Sequence, residues 1–295
     1  MEGDIRRTTP EGLRFHHQRY KPDNSTGGSS VAGVAHSYLY QSPRFLARGE
    51  LSWWEKAEGG EGGAFMSSLY DISCFAAGLA GNIFALALFL SPVPTFKRVV
   101  KAKSTERFDG LPYLLSLLNC CICLWYGLPW VSDGGRALVA TVNGTGALFQ
   151  LAYISLFVFY ADSRRTRLKI VGLLALEAFV FAILAHASVA FFDQPARQLF
   201  VGSVSMASLI SMFASPLAVM GLVIRTECVE FMPFYLSLST FLMSASFAMY
   251  GLLLRDFFIY LPNVIGVVLG AMQLVLYAYY SRKWKGSESS APLLA

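Results

Sequence analysis

Seven apolar stretches follow one another along this chain, at residues 72–94, 111–131, 137–160, 169–192, 198–224, 233–254 and 257–280. Each is close to the ~20 residues that a helix needs to cross a bilayer. A chain so built is expected to be an all-α membrane protein with seven transmembrane helices. Charge content agrees: 15% of the residues are charged, where an average soluble domain has about 25%. The net charge of +5 does not read as a nucleic-acid surface, because the basic residues fall in short clusters between the apolar runs. On one set of alternate sides lie 13 of them, including Lys97, Arg98, Lys101, Lys103, Arg107 and Arg164, Arg165, Arg167, Lys169; on the other lie Arg136, Arg197 and Arg255 alone. Basic loops stay in the cytosol, so the N-terminus is expected outside or in a lumen and the C-terminus in the cytosol.

The membrane part is duplicated. The stretch from Asn143 to Tyr160 returns 120 positions later as Asn263 to Tyr280. Ser91-Pro92 and Tyr126-Gly127 return 124 positions later as Ser215-Pro216 and Tyr250-Gly251, and Pro112 returns as Pro233 after 121. Landmarks in one order at a nearly fixed period mark a repeat. A three-helix unit ends on the face opposite to its start, so a second copy fused directly would be inverted. The fourth stretch restores direction. The expected architecture is therefore 3+1+3, two parallel three-helix bundles joined by a linker helix and related by a pseudo-twofold axis along the membrane normal. The expected boundaries are 67–165 for the first repeat, 166–196 for the linker, 197–282 for the second repeat and 283–295 for a cytosolic tail. Residues 1–66 carry Gly, Ser, Arg and Glu in no period and read as a disordered extension; Met66, where the membrane part begins, marks them as an alternative start.

Ionisable groups in lipid cost roughly 2.5–3.5 kcal/mol each on insertion scales and mark function by default. The six repeat helices have almost none. The linker holds Glu177 and His186, about 13 Å apart along a helix and half a turn around it, which is poor spacing for a relay. Their simplest role is packing. A carrier with no buried carboxylate on its moving helices is expected to move a neutral solute without ion coupling. The five cysteines form no disulfide framework, and Cys120 and Cys123, though spaced C-x-x-C, stand without His or acid partners, so neither a metal nor a cofactor is expected.

The remaining polar groups are neutral and come in pairs. Asn143 and Asn263 lie equally deep, about two turns into their helices. An amide offers two donors and an acceptor, and two of them across an axis suit a ligand rich in hydroxyls, although membrane asparagines also serve as interhelical glue. Tyr126 and Tyr250 lie near the outer ends of their helices, with Cys123 and Phe247 one turn deeper on the same faces. Amides, a small thiol and a ring together would wall a sugar-sized pocket. Pro92 and Pro216 sit near the cytosolic ends of the first and fifth stretches. A proline inside a helix loses a backbone hydrogen bond and kinks it, so these read as hinges of a cytosolic gate, with the tyrosines closing the outer side. Pro112 and Pro233 join them at the same depth, or serve as ordinary first-turn prolines.

Ser91-Pro92, Leu111-Pro112-Tyr113, Trp125-Tyr126-Gly127, Thr141-Val142-Asn143-Gly144, Ala214-Ser215-Pro216 and Leu261-Pro262-Asn263 closely resemble the plant SWEET sugar transporters, a family built from parallel repeats. The resemblance spans about residues 66–285 and is nearest to the clade usually associated with hexoses and, in some members, the vacuolar membrane. It implies a bidirectional, low-affinity, energy-independent sugar carrier in the cell membrane or the vacuolar membrane, not an enzyme, assembling as a homo- or hetero-oligomer with similar transporters. It places the family's pocket asparagines on Asn143 and Asn263, its gate prolines on Pro92, Pro112, Pro216 and Pro233, its outer-gate pair on Tyr126 and Asp256 and its hinge glutamine on Gln273. Cys123 and Phe247 depart from the serine and tryptophan that many members carry. Two other readings are weaker. A PQ-loop carrier would show Pro-Gln where Val93 and Leu217 follow the prolines, and a seven-helix receptor would lack the internal duplication.

Overall fold

The computed structural model describes residues 61–289 except Arg107, Gly134, Gly135 and Phe231. The extension expected over residues 1–66 therefore lies almost wholly outside the described residues, as does the end of the C-terminal tail. In chain order the described residues form α1 (Glu61–Leu90), α2 (Val93–Ala102), α3 (Leu111–Gly127), α4 (Ala137–Tyr160), α5 (Arg164–Phe191), α6 (Gln194–Ser211), α7 (Ala214–Thr226), α8 (Phe234–Leu253) and α9 (Phe257–Ser289). Helix α1 starts inside the stretch that the sequence assigns to the extension.

The nine helices make seven membrane crossings, because the first and fifth apolar stretches are each broken in two. Pro92 brings no N–H, and its ring conflicts with the carbonyl four residues back, that of Leu88. That carbonyl accepts instead from the Ser91 N–H at 3.2 Å and the Ser91 hydroxyl at 2.7 Å, and α1 gives way to α2. Pro216 does the same to the Met212 carbonyl, which accepts the Ser215 N–H at 3.4 Å, and α6 gives way to α7. Both second halves then stop alike. Lys103 and Glu227 take left-handed φ values of 53° and 54° and return their N–H groups to the carbonyls of Val99 and Val223, two buried valines. Six crossings are long enough and apolar enough to span a bilayer. The seventh, α3, has 17 residues and ends at Gly127 rather than near 131, because Leu128 is followed by Pro129, which disfavours helical backbone before it.

The duplication reappears in the packing. A Cβ on Gly127 would stand 2.8 Å from the Ala140 nitrogen, and one on Gly251 would stand 2.6 Å from the Tyr260 nitrogen. Those glycines are what let α3 lie against the start of α4, and α8 against the start of α9. A Cβ on Gly146 would meet Phe89 and Cys120, and one on Gly266 would meet Ser244 and Phe213. Each partner in the second repeat lies 120 or 124 positions after its counterpart in the first, so one set of close contacts has been built twice. The chain is thus a seven-helix membrane protein of two three-helix repeats and a linker.

Helix α5 belongs to neither repeat. It packs on α3 and α4 and buries only Ile170 and Ser188, while Phe179, Ile183 and Phe191 face outward, as a helix bordering lipid does. Ser163 caps it, accepting the Thr166 N–H at 3.0 Å. Just before it, Asp162 accepts both the N–H and the hydroxyl of Thr105, at 3.2 and 3.0 Å. Hydrogen bonds from Ser104 and Thr105 hold its carboxyl below the ordinary carboxylate range and tie the end of α2 to the α4–α5 junction.

The buried apolar groups form three clusters, and their distribution positions the site. One cluster draws on both repeats, with Tyr126, Val139 and Val142 from the first and Val201, Phe247, Tyr250 and Ile259 from the second. The other two are private. Phe96, Leu114, Tyr153 and Phe157 belong to the first repeat with Ile170 of the linker, and Met220, Val223, Met232 and Tyr280 to the second. The repeats therefore share a core near the Arg136 face and part company toward the opposite face.

Candidate functional site

A cavity of about 470 Å³ occupies the space between the two repeats. Asn143 and Asn263 line it together. Each is the seventh residue of its helix, α4 and α9. Each donates one amide N–H to the carbonyl four residues back, Asn143 to Val139 at 2.9 Å and Asn263 to Ile259 at 2.7 Å. Those bonds fix matching orientations and leave the amide oxygen and the second N–H of each as the groups that a solute in the cavity can meet.

Cys123 and Phe247 also line the cavity. The Cys123 thiol points to the Asn119 carbonyl oxygen at 3.8 Å, so a second first-repeat amide stands one turn away. Asn119 is buried and lines the cavity as well; having no duplicate at position 243, which is Met, it carries no repeat signal in the sequence. The Phe247 ring is seated over Gly81, where a Cβ would lie 2.6 Å from the ring, and it meets Tyr250 edge-on at 6.3 Å. Helix α1 can pass that close only with glycine at 81.

The cavity stops at Tyr126. Its hydroxyl donates to Asp256, 2.8 Å from each carboxylate oxygen, and its ring meets Phe258 edge-on. Arg136 Nε also donates to Asp256, at 2.8 Å. The Asp256 side chain is 1% exposed and that of Arg136 15%, so the charges are largely shielded from water. Arg136 stands immediately before α4 and Asp256 immediately before α9, 120 positions apart. They occupy the same place in the two repeats, with opposite charges that pair with each other. Asp256 further accepts the N–H groups of Phe258 and Ile259, capping α9. The sequence marks Asp256 only through the family resemblance and counts Arg136 merely as a loop charge. The repeat offset of 120 was the signal that could have linked them. Tyr250, the counterpart of Tyr126, is buried in the shared core and does not line the cavity.

At the other end the lining includes Pro216, Met232, Pro233 and Gln273. Pro233 is exposed and directly precedes α8, so the cavity reaches that face of the molecule. Pro216 lies at the α6–α7 break. Pro92 lies at the α1–α2 break and Pro112 in the first turn of α3, both outside the cavity lining. Gln273 is buried. Glu177 and His186 of the linker do not line the cavity, and among the described residues no cluster of His, Cys, Asp and Glu could hold a metal ion.

A family model described as "Sugar efflux transporter for intercellular exchange" matches this chain twice, over residues 75–165 and 199–285. Bidirectional sugar transporter SWEET2b of Oryza sativa is 82% identical over 229 residues, which is 78% of this chain and 99% of that protein. Bidirectional sugar transporter SWEET2 of Arabidopsis thaliana is 55% identical over 218 residues, 74% of this chain and 92% of that protein. A solved eukaryotic SWEET transporter, 82% identical, superposes with a TM-score of 0.71 over 72% of this chain and 99% of its own.

Proposed function

The chain belongs to the SWEET family of sugar transporters, membrane carriers and not enzymes, and from that premise we propose that it moves a hexose, glucose first, in either direction down its concentration gradient. The single observation that carries this reading is the pair of amides, Asn143 and Asn263, held in matching orientations on either side of one cavity. Each has an acceptor and a donor to offer a hydroxylated ring. Cys123 and Phe247 complete the binding wall, the thiol leaving room and the ring facing C–H groups.

Alternating access is supported by the distribution of contacts. The repeats meet through a shared core and the Tyr126–Asp256–Arg136 cluster at one end. At the other, each keeps its own core, and the cavity reaches the exposed Pro233. With the basic loops in the cytosol, the closed end is the outer gate, formed by Tyr126 and Asp256 with Tyr250 behind them. The prolines Pro92, Pro112, Pro216 and Pro233, with Gln273, are the hinge and gate elements of the cytosolic end, and the N-terminus is outside or lumenal. Rocking of the repeats would exchange the two ends. Transport without ion coupling is supported by Glu177 and His186 standing outside the cavity lining. Low affinity follows from the few hydrogen bonds available, each contributing only about 0.5–1.5 kcal/mol net. The protein is assigned to the cell membrane or the vacuolar membrane, in a homo- or hetero-oligomer with similar transporters.

The test is radiolabelled flux in proteoliposomes. Glucose entry that exceeds sucrose entry, and is unchanged by a proton gradient, is the expected result. Flux that follows the proton gradient would refute the uncoupled mechanism.

A further inference from the structure

We propose that Gln150 forms a second hydrogen-bonding station for the sugar, between the asparagine pair and the Pro233 face. This inference rests on the transport reading above. Gln150 lies on α4, seven residues past Asn143, which is two turns and about 10 Å along the helix on nearly the same face. Its side chain lines the cavity, the residue is only 7% exposed, and its amide oxygen has no hydrogen-bond partner in the protein. A buried polar atom left so is costly, and membrane helices pair such groups whenever they can. The oxygen itself is buried, but it belongs to a side chain that lines a solute cavity, so a turn of the amide end brings an unpaired acceptor to a solute there.

The repeat makes the point sharper. The position equivalent to Gln150 is Gly270, where a Cβ would stand 3.0 Å from the Phe241 Cα. There α9 lies directly against α8, with no room for an amide. Gln273 in turn is equivalent to Tyr153, whose hydroxyl donates to the Phe89 carbonyl at 2.6 Å. Past the symmetric asparagines the two repeats therefore present different groups at different heights. Gln150 is about 10 Å beyond its asparagine and Gln273 about 15 Å beyond the other. Gln150 stands about 10 Å along α4 from Asn143, on the Pro233 side of the pair. The glutamine therefore receives the sugar after it leaves the pair on the way to the Pro233 face, or before it reaches the pair in the reverse direction. Its oxygen accepts a hydroxyl, so the ligand it selects is a neutral polyol with a donor to give.

The experiment compares the full-length wild-type protein with Gln150→Met, which keeps length and volume and removes the amide. Glucose flux is measured against concentration, together with a series of glucose analogues each lacking one hydroxyl, and Tm is followed in detergent. A Tm that is unchanged or raised is expected, since a buried amide without a partner is removed. The KM for glucose should rise about two- to tenfold, the range of one hydrogen bond, and one deoxy analogue should lose the penalty that it suffers in the wild type. A KM and an analogue profile identical to wild type would overturn the proposal while leaving transport intact, and so would a fall in Tm with flux lost in proportion. Absence of glucose flux in the wild type itself would overturn the transport reading, and this station with it.

Discussion

Replacing Asp256 by Asn should open the closed end of the cavity. The substitution is nearly isosteric and keeps an oxygen for the N–H groups of Phe258 and Ile259. Asn caps helices about as well as Asp, so α9 keeps its start. What is lost is the charge. A hydrogen bond to a charged group contributes about 1.5–3 kcal/mol and a neutral one about 0.5–1.5, so the Tyr126 bond weakens by roughly 1 kcal/mol. Arg136 loses its carboxylate. Breaking a fully buried ion pair costs about 3–5 kcal/mol, but this guanidinium is 15% exposed and still reaches the Asp133 carbonyl at 2.8 Å. We therefore assign that loss about 1–2 kcal/mol. The total, about 2–3 kcal/mol, corresponds to a shift of roughly 30- to 150-fold from closed toward open. Cys123 on the cavity wall is the reporter. With Cys74, Cys120, Cys121 and Cys228 replaced by Ala, labelling by a membrane-impermeant maleimide applied from the Arg136 face should be slow in the wild type and at least tenfold faster in Asp256→Asn. Labelling from the opposite face should slow or stay the same. Equal labelling rates from the Arg136 face in both proteins, with both folded, would refute the assignment of this cluster as the closure.

Pro216→Ala restores a donor and relieves the conflict at the Met212 carbonyl, so α6 and α7 should join into a straighter helix; glucose flux per folded molecule is expected to fall, and equal loss of flux and folded protein would show a folding role only. Gly251→Ala places a methyl 2.6 Å from a backbone nitrogen of α9, and the overpacking should cost about 1–3 kcal/mol, visible as a clear fall in Tm in detergent. Gly172→Ala on α5, where a Cβ meets nothing within 4 Å, is the control and should leave Tm unchanged or raise it slightly; similar Tm values for the two variants would contradict the close-packing account.

What could be read in the sequence was whatever hydrophobic length and repetition encode. The seven crossings, their order and the 3+1+3 plan follow from apolar runs and landmark offsets, and the structure has them. Asn143 and Asn263 were legible as a pair because each sits at one depth in a duplicated helix, and the structure brings both to one cavity. The breaks were legible less well. Proline marks the residue that cannot stay in register, whereas the helix yields at the carbonyl it displaces, so the second break falls at Met212 and Phe213, ahead of Pro216. What repetition did not show is asymmetric, and of these groups only Asp256 was marked, through the family resemblance. Arg136 and Asp256 carry opposite charges at equivalent positions, and nothing local in the chain says that they meet. Asn119 and Gln150 have no polar counterpart 120 or 124 positions on, so a reading led by repetition passes over them.

In the proposed mechanism the two asparagines bind the transported sugar. Its most direct test is glucose flux in proteoliposomes containing the full chain, wild type against Asn143→Ala/Asn263→Ala, with folding monitored by elution profile and Tm. Gradient-independent glucose flux is expected in the wild type, and its loss by roughly tenfold or more in the double variant, the effect of removing two or more solute hydrogen bonds, with elution profile and Tm preserved. A folded double variant that carries glucose at the wild-type rate would contradict it.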